Sequence, residues 1–223
     1  MIQVKDITKS FMTPQGRHYL FKDLNFTIED KQSVGLLGRN GAGKSTLLRI
    51  ICGLDKPDSG EVITDSTISW PVGVGGGFQG SLTGRQNVRF VCRLYSNGDY
   101  VDEKIRFVEE FADIGKYFDM PVKSYSSGMR SRLTFGLSLA FDFDYYMLDE
   151  VSAVGDAAFR KRSEEVLQAR REQSGFLVVS HNLGDIERNC DLAIVLMNQK
   201  AHVFDDVKQA IEVYNKHVHE AKK

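Results

Sequence analysis

The stretch Gly38-Arg39-Asn40-Gly41-Ala42-Gly43-Lys44-Ser45-Thr46 follows the G-x-x-x-x-G-K-[ST] pattern. An apolar run, Ser33-Val34-Gly35-Leu36-Leu37, precedes it, and Leu47-Leu48-Arg49-Ile50-Ile51-Cys52 follows. The motif therefore sits where a buried strand turns into a helix, which is the context it requires. Small residues let backbone N–H groups close around a polyphosphate, and a helix beginning at about Lys44 adds its positive N-terminal dipole. Lys44 is placed to reach the β- and γ-phosphates, and the Ser45 hydroxyl to ligate Mg²⁺. A plain glycine turn needs neither a Lys-Ser pair at this spacing nor the flanking apolar positions.

The 223 residues are enough for one well-buried α/β domain, or one core with a smaller inserted lobe. Formal net charge is −1, so nothing global attracts the chain to nucleic acid or anionic lipid, and any membrane contact must be local. Cys52, Cys92 and Cys190 lie far apart in apolar segments without metal-ligand spacing, and read as reduced core residues. No signal peptide is read at the start, and no apolar run approaches the ~18 to 20 residues of a membrane span. The chain is expected not to cross a membrane itself.

Ile2 to Ile7 and Leu24 to Ile28 alternate apolar and polar, as half-buried strands that pair antiparallel. Between them Ser10 to Tyr19 carries Pro and Gly and reads as a loop, in which an aromatic either stacks on a nucleotide base or packs beneath the loop. Gly53 to Glu61 is a turn cluster leading to strands at Val62-Ile63 and Thr67 to Trp70. Pro71 to Ser81 holds five glycines, giving a segment that orders at high entropic cost: a hinge or sensing loop, or a loop merely tolerated.

From Gly84 the pattern turns helical. One helix places Val88, Val91, Cys92 and Tyr95 on a face, and a second repeats the spacing with Ile105, Val108, Phe111 and Ala112. This is an inserted helical lobe, closed by the polar turn Tyr125-Ser126-Ser127-Gly128-Met129 before a helix Arg130 to Ala140. The strand from Phe143 ends on Asp149 and Glu150. In phosphate-loop hydrolases the first such acid holds Mg²⁺ through water and the next takes a proton from the attacking water. A charge-laced helix runs from Ala157 to Glu172. The strand Phe176 to Ser180 ends at His181, on the same crevice as the other strand ends. Leu192 to Met197 is a further strand, and Asp205 to Ala221 a helix capped by Asp205, with Val207, Ala210, Ile211 and Tyr214 inward.

In this order the motifs resemble the ATP-binding subunits of ABC transporters across essentially the whole chain. The resemblance covers the phosphate loop Gly38–Ser45, a glutamine loop near Gln79, a signature at Ser126-Ser127-Gly128-Met129, the pair Asp149 and Glu150, an aspartate loop Ser152 to Asp156, and a switch His181. Of L-S-G-G-Q the signature Tyr125-Ser126-Ser127-Gly128-Met129 keeps the serine and the last glycine and departs at the other three positions, and the aspartate loop reads Val154-Gly155-Asp156. With Gly16-Arg17-His18-Tyr19 and Leu82-Thr83-Gly84-Arg85, these departures are similar to exporters of bacterial surface polysaccharides, most of all to capsular exporters of Gram-negative bacteria.

The resemblance implies an α/β ABC ATPase fold. Its phosphate-loop, RecA-like core (1–83 and 142–223) carries an N-terminal antiparallel β subdomain, and a helical subdomain (84–141) is inserted. It implies ATP and Mg²⁺, with Lys44, Glu150 and His181 catalytic. Phe11, Gly38, Arg39, Asn40, Gly41, Ala42, Gly43, Lys44, Ser45, Thr46, Gln79, Ser126, Ser127, Gly128 and Asp156 contact nucleotide, and Ser45, Gln79 and Asp149 the metal. Phe11 stands nearest the family's base-stacking position, with His18 and Tyr19 as competitors. The implied assembly is a head-to-tail homodimer sandwiching two ATPs, peripheral on the cytoplasmic face of the inner membrane and bound to a dimeric integral permease that selects the polysaccharide. No nucleic acid partner is implied. An O-antigen or teichoic-acid exporter, a soluble non-transport ABC ATPase, and a non-hydrolysing regulatory module are the other readings.

Overall fold

The structure, a computed structural model, describes residues 1–72, 77–95, 100–149, 156–180 and 182–220. It divides into two compact units: Met1–Ser69, Phe143–Glu150 and Gln173–Lys223 form the first, Trp70–Asp142 and Val151–Glu172 the second.

The first unit opens with strands β1 (Ile2–Thr13) and β2 (Gly16–Ile28), paired antiparallel from Ile2↔Ile28 to Thr13↔Gly16. The stretch expected as a loop over Ser10 to Tyr19 is thus mostly strand. Pro14 and Gln15 confine the reversal, and Phe11 and Ser10 pair with His18 and Tyr19. Strand β4 (Ser59–Thr64) adds to the other side of β1 and completes a three-stranded sheet.

A six-stranded sheet is built from β3 (Val34–Gly38), β5 (Ile68–Pro71), β6 (Tyr145–Asp149), β7 (Gly175–Val179), β8 (Leu192–Met197) and β9 (Lys200–Phe204) in the order β5-β6-β7-β3-β8-β9. β3 runs parallel to β7 and β8, and β6 parallel to β7, whereas β9 returns antiparallel on β8. β3 and β7 are buried at every position, as strands covered on both faces must be. Their alternation sorts the core. Leu36, Ile194 and Leu196 join helix α1 (Lys44–Ile51) and the β1–β2 hairpin in one cluster. Leu37, Ala193 and Val195 join helices α6 (Leu183–Asn189) and α7 (Val207–Glu220) in another. α7 is capped by Asp206, whose carboxylate accepts the Lys208 N–H at 2.8 Å, not by Asp205. Neither β9 nor α6 is legible in the sequence: β9 is a polar edge strand, and α6 is short with few apolar positions.

The second unit contains α2 (Gly84–Tyr95), α3 (Val101–Ala112), two 3₁₀ turns (Gly115–Asp119 and Val122–Ser124), α4 (Ser127–Leu139) and α5 (Ala157–Arg170). All four apolar positions read on the second helix are buried, but Tyr95 on the first is 57% exposed, lying edge-on to Phe141 and tilted against Trp70. The unit begins at Trp70, and it also takes in α5. Phe159 of α5 is 2% exposed and meets Phe111 and Phe135, ring centroids 5.3 and 5.8 Å away. Burying such a ring stabilises by about 1.5–3 kcal/mol, and the Arg162 guanidinium adds hydrogen bonds to the Glu110 and Phe111 carbonyls at the end of α3. The outer face of α5 is solvated as expected, with Lys161 and Glu165 4.0 Å apart.

All three cysteines are free. Burial pushes the Cys92 thiol up to about 11, so it behaves as a small apolar core group.

Candidate functional site

β3 ends at Gly38 and α1 begins at Lys44, so residues 39–43 make the whole connection. Its path needs left-handed backbone at Gly41 (φ 82°) and Gly43 (φ 95°). At Gly43 there is also no room for a side chain: a Cβ would lie 3.0 Å from Phe21 Cε1 on β2. The Ala42 N–H donates to the Arg39 carbonyl at 3.0 Å and the Leu47 N–H to Gly43 at 2.8 Å, which closes the loop into the helix. The Lys44 ammonium donates to the Gly38 carbonyl at 2.8 Å and to Arg39 at 3.3 Å, so a fixed cation lies against the loop. The first turn of α1 holds no acidic residue, leaving its positive end uncompensated. Cation, glycine-lined backbone and helix N-terminus together fit a polyphosphate.

A cavity of about 550 Å³ opens beside the loop. Arg39 and Asn40 line it from the loop, His18 and Tyr19 from β2, Lys200 from β9 and His217 from α7. None of the described residues lining it is acidic, which suits an anionic nucleotide. Phe11 does not line it; the residue is 46% exposed, with the Lys9 ammonium 5.5 Å from the ring centroid. Lys200 and His217 escape a sequence reading because β9 is not recognised and α7 carries no motif.

The parallel register fixes a second feature. β6, β7 and β3 are consecutive neighbours, with Asp149 opposite Val179, so Gly38 and Asp149 end two strands of one sheet edge with one strand between them. The two strands lie about 10 Å apart, and Leu148 and Gly35 share the level of Val178, so Gly38 reaches two residues beyond the level of Asp149. The Ser45 hydroxyl, in the exposed first turn of α1, and the Asp149 carboxylate are hard oxygen donors at that edge, the chemistry Mg²⁺ selects. Glu150 comes next in sequence after β6 and His181 two residues after the end of β7; both lie outside the described residues, as do Ser152 to Gly155.

In the second unit, Ser126, Ser127 and Gly128 are all exposed. The helix expected from Arg130 begins at Ser127. Ser and Gly are weak helix formers, but here Ser126 is the N-cap, its hydroxyl accepting the Met129 N–H at 3.2 Å. A Cβ on Gly128 would meet nothing closer than Ser126 Oγ at 3.9 Å, so the approach to this helix end is open. Gln79 is exposed, its side chain donating to Ser81 Oγ at 3.2 Å. Asp156 caps α5: one carboxylate oxygen accepts the Phe159 N–H at 2.9 Å and the other pairs with Arg132 at 2.7 Å. The Phe159 N–H first, and then Arg132, hold its carboxyl below the usual range. The Arg132 pairing could not be read from sequence, since it joins residues on different helices.

Among the described residues no helix is long and apolar enough to cross a membrane. A family model for the ABC transporter matches residues 21–153. The chain is 59% identical over 215 residues to the polysialic acid transport ATP-binding protein KpsT of Escherichia coli, covering 96% of each chain. It is 45% identical over 216 residues to the capsule polysaccharide export ATP-binding protein CtrD of Neisseria meningitidis serogroup B, covering 96% of this chain and 99% of that one. The dimeric ATP-binding cassette MJ0796, solved with ADP and Pi, superposes with a TM-score of 0.76 at 21% identity, over 92% of this chain and 98% of that one. The chain belongs to the ABC transporter family and is one of its ATP-binding subunits.

Proposed function

We propose that the chain is the ATPase subunit that powers export of a lipid-linked capsular polysaccharide, working at the cytoplasmic face of the inner membrane on a separate permease. The observation that carries the ATPase reading is the loop, with Lys44 held at 2.8 Å from Gly38 and both crucial glycines left-handed. Support for the cargo comes from the names of KpsT and CtrD. Leu82, Phe90 and Leu94 are exposed on and just ahead of α2 and offer an apolar surface to the permease.

Two copies are read as sharing two ATPs, the phosphate loop of one facing Ser126, Ser127 and Gly128 of the other; the exposed signature with open space at Gly128 supports this. Backbone N–H groups of residues 39–46 would bind the phosphates and Lys44 would neutralise their charge. His18 and Tyr19, on the cavity wall, are favoured over Phe11 to flank the base. Ser45, Asp149 and Gln79 would hold Mg²⁺, which when bound offsets negative charge on the β- and γ-phosphate oxygens. Glu150 would polarise an in-line water, His181 would contact the γ-phosphate, and Asp156 would approach the partner's nucleotide. Little covalent chemistry is asked of the protein, since phosphoryl transfer is accelerated mostly by positioning and charge.

Glu150→Gln tests the reading. ATP binding should persist, ATP-dependent dimers should accumulate on size exclusion, and hydrolysis should fall by about 10² or more; near-normal turnover overturns the assignment. Co-purification with the permease, followed by ATPase assays with and without the capsular glycan, tests the cargo.

A further inference from the structure

Between the glutamine segment and the signature runs a set of bonds that neither motif accounts for. Asn87 lies on the buried side of α2 and is 4% exposed, among apolar neighbours such as Val88 and Cys92. Its side-chain oxygen accepts the Gln79 N–H at 2.8 Å. Its amide nitrogen faces the Thr83 carbonyl at 2.9 Å, Gln79 at 3.1 Å and, more weakly, Leu82 at 3.4 Å. One buried amide therefore holds both backbone groups of Gln79. The same short segment is stitched to the approach to the signature. The Lys123 N–H donates to the Gly80 carbonyl and the Val122 N–H to Leu82, each at 2.9 Å, and Thr83 bridges to Pro121.

The joint is also closed sterically. A Cβ on Gly84 would come within 2.3 Å of the Tyr125 hydroxyl, which itself donates to the Tyr117 carbonyl at 2.5 Å. Arg85 clamps the far side, bonding Asp119 at 2.6 Å and Glu109 at 2.5 Å over the Phe118 ring. Tyr125 directly precedes the N-cap Ser126. A displacement at Gln79 thus cannot occur without either breaking the Asn87 cage or carrying residues 121–125 with it.

We propose that Asn87 is a positioning residue for ATP hydrolysis: it locks the Gln79 segment to the signature turn, so that the two move as one body. The inference rests on the roles proposed above for Gln79 and Ser126. Its consequence is that metal-side and partner-side contacts are aligned together or lost together.

The test is steady-state kinetics on the full chain with Asn87→Ala, Gln79→Ala and the double variant. Asn87→Ala is expected to lower kcat by about tenfold or more while KM for ATP moves by less than about threefold, because alignment is lost and the phosphate cradle is kept. The double variant should be no slower than Gln79→Ala alone, since residues acting as one unit are not additive. Wild-type kcat in Asn87→Ala, or additive losses, overturns the proposal. Native-state hydrogen exchange on the unmodified chain decides the matter if the variants do not fold. The amides of Gln79, Val122 and Lys123 should share one opening free energy and one denaturant slope, and different values overturn the lock. An unmodified chain that does not hydrolyse ATP would instead refute the proposed function, leaving the exchange result to judge the lock by itself.

Discussion

The phosphate loop and the signature turn both present a helix N-terminus and glycine, but they are built in opposite ways. The loop is closed from behind: Gly38 is buried, Phe21 leaves no room for a side chain at Gly43, and Lys44 lies against the loop's own carbonyls. The signature is exposed at Ser126, Ser127 and Gly128, and its order comes from a hydroxyl cap and from the bonded scaffold behind it. A glycine in a closed loop is demanded by backbone geometry and packing, whereas Gly128 is spared steric crowding within its own chain. The first arrangement completes a cradle alone, and the second has the form of a surface awaiting something from outside.

That contrast predicts unequal responses. Lys44→Ala should have the largest effect in a binding assay, weakening ATP affinity by roughly 10²-fold or more, because a charge-assisted contact to phosphate is lost at a site that supplies most of its own contacts. Isothermal titration with Mg²⁺ and ATP measures this, and unchanged affinity would break the comparison at its root. Ser126→Ala should leave ATP affinity of the isolated chain intact and lower hydrolysis of the dimer, while removal of the cap costs about 1 kcal/mol of stability. Urea unfolding and ATPase assays read the two effects separately.

The smallest effect concerns the scaffold behind the signature. Hydrogen bonds from Arg85 hold the Asp119 carboxyl below the usual carboxylate range. With its folded value depressed, Asp119 contributes stability above the ordinary range, and that contribution disappears as pH falls through the folded value. Asp119→Asn should therefore cost no more than about 1 kcal/mol at pH 7, the carboxylate being exposed. The difference from the unmodified chain should shrink as pH falls below the ordinary carboxylate range and through the depressed folded value. Urea midpoints at pH 7 and at successively lower pH check the sign.

Much of this was legible because short motifs carry their own physics. Residues 38–46 announce a strand, a turn and a helix within one stretch, and Ile105, Val108, Phe111 and Ala112 give their buried face by spacing alone. Ser10 to Tyr19 was not legible, since Pro and Gly mark a reversal without saying how tight it is. Lys200 and His217 were not legible either, because they reach the cavity from segments without periodic signal.

The sequence alone determined a phosphate loop at the end of a buried strand and an acid at the end of another, because local backbone demands and periodicity are written in adjacent residues. Only the tertiary structure decided that α5 joins the helical unit through Phe159, that Ser126 is a cap and not part of a turn, and that the Asn87 amide bonds both backbone groups of Gln79. These outcomes depend on which distant carbonyls and rings a side chain meets once the chain is packed. No spacing along the chain encodes that.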